Sequence, residues 1–187
     1  MKNIVFEEVS SENIELCRDL CNELMLFQKE KAIYHKENFD TMNFDTRMKL
    51  SFNNALEKQV IIAKSDNEPV GYIFSTIDEI KPEERNYFPD WAPKEKNSIG
   101  FYPEWVELPQ KIGCLNNLYI KEKHRGLKIG DTLFEKSIEW FQSFKYLKLL
   151  FVYISNGNKE ALDFYLNRGF TYSHDVFGKF ITAAYRS

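Results

Sequence analysis

Leu118-Tyr119-Ile120-Lys121-Glu122-Lys123-His124-Arg125-Gly126-Leu127-Lys128-Ile129-Gly130-Asp131 is the stretch on which the reading of this chain turns. An apolar run ends in a basic turn with two glycines. An amphipathic pattern follows at once: Leu133, Phe134, Ile138, Trp140 and Phe141 supply an apolar stripe over a helix predicted at 130–144. Strand, glycine-bearing loop and helix N-terminus together aim several backbone N–H groups and the positive end of a helix at one point. That layout suits a phosphate. The cations around it, Lys121, Lys123, His124, Arg125 and Lys128, are local, as expected for one anionic ligand. A solvated turn after a strand is the plain alternative.

The flanking sequence extends the pattern. Residues 112–120 read as a strand, and the nearly continuous apolar run 147–154 reads as a central buried one. Residues 158–168 read as a short helix closed by Gly169 in a left-handed cap, with 170–174 and 177–184 as a closing antiparallel pair. Near the N-terminus, 4–9 reads as a strand. Ser10-Ser11-Glu12-Asn13 is a polar start for a helix whose apolar face carries Ile14, Leu16, Leu20, Leu24 and Phe27. A second helix is predicted at 45–57. Strands at 60–64 and 70–80 are joined by Asp66-Asn67-Glu68-Pro69, which marks a hairpin.

Residues 81–110 break this rhythm. They hold five of the six prolines, together with Tyr87, Phe88, Trp91, Phe101, Tyr102 and Trp105. A long irregular segment inside a domain is usually functional or mobile. It reads as a pocket wall or lid, with a surface loop pinned by aromatics or a homodimer contact as alternatives.

At 187 residues the chain fits one domain, 1–187, with that insert inside it. Its 16 Phe and 10 Tyr suggest an aromatic core or pocket. The net charge of −3 argues against a general nucleic-acid surface. No run approaches the roughly 18 apolar residues of a membrane span. The first residues carry Glu7 and Glu8 where a signal peptide needs an apolar core, so a cytoplasmic protein is expected. Cys17, Cys21 and Cys114 lack metal-ligand grouping, and His35, His124 and His174 are scattered, so no metal is expected. Cys17 and Cys21, four apart on a helix, read as small apolar residues.

Two motifs resemble the GCN5-related N-acetyltransferase (GNAT) superfamily. Arg125-Gly126-Leu127-Lys128-Ile129-Gly130 is similar to the family's pyrophosphate loop, Gln/Arg-x-x-Gly-x-Gly/Ala, with Lys128 in place of the middle glycine. Asn158, Ala161, Tyr165 and Gly169-Phe170 follow the family's later signature of Asn, Ala and Tyr before Gly-Phe. The resemblance implies an α/β fold with a mixed, mostly antiparallel twisted sheet flanked by helices, in the order β-α-α-β-β-β-α-β-α-β-β. It implies acetyl-CoA as cosubstrate and no metal. The backbone of Leu118, Tyr119 and Ile120 would pair with the pantetheine arm as with an added strand. The loop Arg125, Gly126, Leu127, Lys128, Ile129, Gly130 and Asp131 would cradle the pyrophosphate. Lys128 keeps its N–H, so the cradle survives if that position needs no positive φ. Asn158 would hold the pantetheine arm, cap its helix, or both. Tyr165 would protonate the departing thiolate, since a phenol is protonated at neutral pH yet close to a thiol in pKa.

The implied activity is acetyl transfer to a primary amine of a small molecule or peptide, by direct attack on the thioester in a ternary complex. A non-catalytic acyl-CoA-binding or regulatory module on the same fold is the alternative. A nucleotide-binding domain is disfavoured, because the loop lacks a Gly-Lys-Ser/Thr ending. Many relatives carry a base on the strand before the loop; here that position is Asn116, which can hold an acceptor but not take its proton. Glu104, Glu107 and Asp78 are the candidate bases, and Asn116, Trp105 and Tyr102 the candidate acceptor contacts. Acidic residues around 78–107 would attract a cation, whether polyamine, aminoglycoside, amino acid or peptide terminus.

Overall fold

Seven strands form one sheet in a computed structural model that describes residues 3–187. They are β1 (Ile4–Glu8), β2 (Glu57–Ser65), β3 (Glu68–Ile80), β4 (Gln110–Ile120), β5 (Leu150–Ser155), β6 (Thr171–Val176) and β7 (Ile181–Arg186), in the spatial order β1-β2-β3-β4-β5-β7-β6. Every neighbouring pair is antiparallel except β4 and β5. The α-helices are α1 (Arg18–Lys31), α2 (Leu50–Asn54), α3 (Ile129–Gln142) and α4 (Lys159–Leu166). The mixed sheet and the order of elements are those expected from the sequence.

Local chemistry explains most of these elements. Asp66 and Asn67 both adopt positive φ, 52° and 68°, which closes the β2–β3 hairpin with a twist that suits its strands. Gly169, at φ 83°, ends the α4 segment as a left-handed cap. The α3 stripe buries Leu133, Phe134, Ile138 and Phe141 against one sheet face, where Tyr165 and Phe170 also pack. The opposite face is covered by α1, the segment 36–54 and the aromatics of the insert. Cys17 and Cys21 are buried there as free thiols.

Several boundaries differ from expectation for identifiable reasons. The first helix opens as a 3₁₀ turn, Ser11–Cys17, and Leu16 points to solvent. The expected helix at 45–57 is a π-helical turn, Phe44–Lys49, running into the short α2; Ala55 is already extended, and Glu57 begins β2. The apolar residues 147–149 precede β5, and Leu147 N–H closes a turn on the Phe144 carbonyl. Phe177, Gly178 and Lys179 are consecutive positive-φ residues, so 177–180 is the β6–β7 turn and no strand. Its apolarity serves the core instead: Phe177 and Phe180 are buried.

The end of β5 is tied to the end of α1 by Asn156. Its side-chain oxygen accepts from Ile33 N–H at 2.6 Å and Tyr34 N–H at 2.7 Å. Its amide donates to the Tyr34 and Phe180 carbonyls, each at 3.0 Å. Gly157 follows at φ 78°, and a Cβ there would lie 2.0 Å from the Lys31 carbonyl oxygen. Both the backbone conformation and the close approach require glycine. Gly157→Ala is expected to lower stability by at least about 2 kcal/mol. Equilibrium urea unfolding checks this; a loss below about 0.5 kcal/mol would mean that α1 can move away without penalty.

Candidate functional site

The site begins where two parallel strands part. β4 and β5 pair only at Gly113–Leu115 against Leu150–Val152. At the same point the β3–β4 register slips: Phe74 faces Asn117 and Ser75 faces Leu115, leaving Asn116 as a bulge residue. A bulge turns consecutive side chains onto one face, and Asn116 and Asn117 both line a cavity there. Beyond the bulge, the β5-side edge of β4 is unpaired from Asn116 to Ile120, about 13 Å of strand. Gly113 permits the narrow end of this fork, since a Cβ would lie 2.5 Å from Leu150 Cδ2 and 2.8 Å from the Phe141 ring.

The open edge leads into the glycine-bearing loop. Among the described residues the amide N–H groups of residues 126–131 find no backbone acceptor; the first such bond of α3 is Thr132 N–H to the Lys128 carbonyl, 3.1 Å. Six amide donors, in the loop and the first residues of a 14-residue helix, are thus left without a backbone partner. Positive φ at Gly126 (77°) and Lys128 (58°) shapes the turn. Lys128 therefore does occupy a left-handed position, contrary to the condition set on the sequence, and bears the strain a glycine would avoid. Arg125 is anchored: its Nε donates to the Ile120 carbonyl at 3.1 Å and its guanidinium lies 4.8 Å from the Phe27 ring centre. Asp131 is ion-paired with Arg168, which joins the start of α3 to the end of α4.

The cavity, about 630 Å³, lies on the α1 side of the sheet. Asn116 donates to Thr76 Oγ1 at 2.8 Å. Asp78 accepts from Leu56 N–H at 3.1 Å. Burial raises its pKa, opposed by the hydrogen bonds from Leu56 and Thr76, with nearby Glu84 pushing it further up. Burial likewise pushes up the Cys114 thiol and the Tyr102 and Tyr153 phenols. The lining is thus held neutral apart from a few ionic groups.

Residues 23–170 match the acetyltransferase (GNAT) family. The chain belongs to that family. No curated protein matches it. Its fold is similar to that of PaiA N-acetyltransferase from Thermoplasma acidophilum, solved in complex with coenzyme A: TM-score 0.63, 17% identity, 99% of each chain covered. A GNAT-family acetyltransferase from Staphylococcus aureus Mu50 aligns over 98% of each chain with TM-score 0.59 and 18% identity. Arabidopsis thaliana Naa50, in complex with the bisubstrate analogue CoA-Ac-MVNAL, aligns over 98% of each chain with TM-score 0.60 and 11% identity. At these identities the likeness shows the fold alone. Membership of the GNAT family makes this an acetyltransferase that uses acetyl-CoA.

In this GNAT chain the expected site residues separate into two groups. Leu118, Tyr119 and Ile120 lie along the open β4 edge, and 126–131 form the N–H cluster. Asn116 and Tyr102 line the cavity. Tyr165 is buried among Phe134, Phe164 and Phe170 on the α3 face and is not part of the cavity lining; burial pushes its phenol up. Asn158 caps α4, accepting from Ala161 N–H at 3.2 Å. Trp105, Glu104 and Glu107 do not line the cavity. Trp105 is half-exposed and packs on Tyr185 (4.6 Å) and Phe151 (6.0 Å). The reason lies in Arg85, whose guanidinium donates to the Tyr102, Pro103 and Val106 carbonyls. That draws the turn inward on buried Pro103 and Val106 and leaves both glutamates in solvent. The sequence reading passed over Arg85, Arg47 and Ser155, none of which sits in a motif. Among the described residues no helix is long and apolar enough to cross a membrane, and no group of three His, Cys, Asp or Glu is placed to hold a metal.

Lys128 offers a direct test of the loop's strain. Lys128→Gly is expected to raise stability by about 0.5–1 kcal/mol, the left-handed penalty less the extra entropy of an unfolded glycine. Denaturant unfolding without ligand measures it, and a net loss would mean that the lysine side chain makes a compensating contact.

Proposed function

We propose that this acetyltransferase transfers the acetyl group of acetyl-CoA directly to a primary amine in a ternary complex. The observation that carries this reading is the continuity of the site: the N–H cluster of 126–131, the open β4 edge and the cavity beyond the Asn116 bulge follow one another along a single strand and its loop. Unpartnered amides and a helix start suit a pyrophosphate. An open strand edge suits an arm that carries amides at peptide-like spacing. The cavity then lies where the acyl end of such a ligand would meet an acceptor.

The side chains divide the proton work. Asp78 is the cavity carboxylate whose affinity for a proton burial raises, which suits holding an ammonium and receiving a proton from it. Asn116, fixed by its bond to Thr76, offers an amide to orient the amine. Glu104 and Glu107 are not carried forward as bases, because they face solvent away from the cavity. Tyr165 remains the proton donor to the leaving thiolate. Burial keeps its phenol protonated at any physiological pH, although it also loosens the pKa match to a thiol. Cys114 lines the cavity, but its raised pKa keeps it a thiol, which favours direct attack over an acyl-cysteine intermediate.

Two measurements test these assignments. At Gly130 a Cβ would meet only Ile120 Cγ1, at 3.9 Å, so Gly130→Val is accommodated in the free protein. It should weaken CoA binding at least about tenfold in calorimetry by crowding the N–H cluster. Unchanged affinity would place the pyrophosphate elsewhere.

Tyr165→Phe should lower kcat roughly 100-fold and leave acetyl-CoA affinity within about twofold, because the thiolate charge develops only in the transition state. Steady-state and single-turnover rates decide it; an unchanged chemical step removes the phenol from the mechanism.

A further inference from the structure

Arg47 lines the acceptor cavity, and the chemistry proposed above gives it no task. It projects from the π-helical turn Phe44–Lys49, and its guanidinium carbon sits 4.2 Å from the Trp91 ring centre. That stacking is its only side-chain contact of an electrostatic or hydrogen-bonding kind with an aromatic or charged partner among the described residues: none of the ion pairs includes it. Asp45, two residues earlier, is taken by Arg18 in a paired fork with bonds of 2.6 and 3.0 Å. The groups that act on Arg47 electrostatically are the Cys21 and Cys114 thiols, both kept neutral by burial, and no carboxylate. A guanidinium stays charged and presents five donors. Arg47 is part-buried in the cavity wall, and a guanidinium partly withdrawn from water forms its strongest hydrogen bonds with an anion.

A second observation points to a ligand in the same cavity. Ser155, at the end of β5, is 6% exposed, and its hydroxyl has no hydrogen-bond partner. The cavity also carries both signs of charge: Arg47 and Asp78 line it together with Cys114. Glu84 acts on Asp78 and not on Arg47. A polycation would set one of its charges against Arg47. A molecule with an ammonium and a carboxylate complements both charges.

We infer that the acceptor is a small amine that also bears a carboxylate, as an amino acid does, with the carboxylate bound by Arg47 and the amine turned toward Asp78 and Asn116. This deepens the acetyl-transfer reading and rests on it. A site that pairs a buried polar group with the substrate rejects analogues lacking that group far more strongly than a site that only excludes bulk.

Matched pairs test it: phenylalanine against phenethylamine and lysine against cadaverine, with spermidine added, each assayed with the wild type, Arg47→Gln and Arg47→Lys. The products N-acetylphenylalanine and N-phenethylacetamide are titrated by calorimetry without CoA. The wild type should favour the carboxylate member at least about tenfold in kcat/KM and in product binding. Arg47→Gln should abolish that preference with acetyl-CoA affinity within about twofold, and Arg47→Lys, which keeps the charge, should retain part of it. Equal or better use of phenethylamine, cadaverine or spermidine by the wild type overturns the inference. So does an equal loss on both members of a pair in Arg47→Gln. If no amine is turned over, the product titrations decide alone, and no preference for N-acetylphenylalanine overturns it. Failure of the wild type to bind CoA strikes the acetyl-transfer reading separately, because the product titrations do not depend on CoA.

Discussion

The parting of β4 from β5 after three paired residues is the constraint on which the rest of the structure depends. A parallel pair in mid-sheet normally continues, because each unpaired backbone group out of water is costly. Here pairing stops at Leu115 and Val152, and neighbouring features hold the fork open. Gly113 lets Leu150 and Phe141 crowd its closed end. The Asn116 bulge swings β4 away on one side. Asn156 and Gly157 fix the far end of β5 against α1. The exposed edge would be an aggregation hazard on a sheet rim. Here it lies inside the sheet, at the fork between β4 and β5, and not on a rim.

Neutrality is the second theme. The phenols of Tyr102, Tyr153 and Tyr165 and the thiol of Cys114 are all pushed up by burial, so they stay protonated around the cavity. Groups of this kind supply hydrogen bonds without a net field. Against that background the charged groups of the lining are Arg47, Asp78, Glu79 and Glu84. Low polarity around a charge strengthens what it does to a bound ion. Such local charges act on a bound molecule at shorter range than the chain's net charge of −3.

What the sequence revealed follows from how local each signal is. The loop 125–130 and the stretch 158–170 were legible because a turn, a helix start and a cap are decided by residues a few positions apart. Asp66-Asn67 and Gly169 behaved in the same way. The cavity was not legible, because it is assembled from α1, the 42–56 segment, β3, the insert, the bulge of β4 and the end of β5. No spacing along the chain brings Arg47 to Trp91 or Asp78 to Cys114. Glu104 and Glu107 looked eligible by proximity in sequence, yet three carbonyls bound to Arg85 turned them outward. The 177–180 run was misread as strand because apolar content records burial and not conformation, and three left-handed residues in a row override it.

The insert is built as a fixed part of the fold. Irregular segments of this length often serve as lids, but this one is fastened along its course. Asn38 donates to the Trp91 carbonyl at 2.7 Å, and the Ile99 carbonyl accepts from Phe177 N–H at 2.9 Å. The Tyr153 hydroxyl donates to the Phe101 carbonyl at 3.0 Å, and His174 bonds the Gly100 carbonyl at 2.9 Å. Phe101 packs at 4.8 Å on Phe177 and 4.9 Å on Tyr153. Each tie runs to a different element, so no single hinge frees the segment. Trp91, the platform beneath Arg47, is thus fixed before any ligand arrives, and with it the direction in which the guanidinium points. A charge held in advance loses little entropy on pairing and needs no reorganisation of its surroundings. If the acceptor binds Arg47 as inferred above, it meets a wall already in place, and the conformational freedom lies with the ligand.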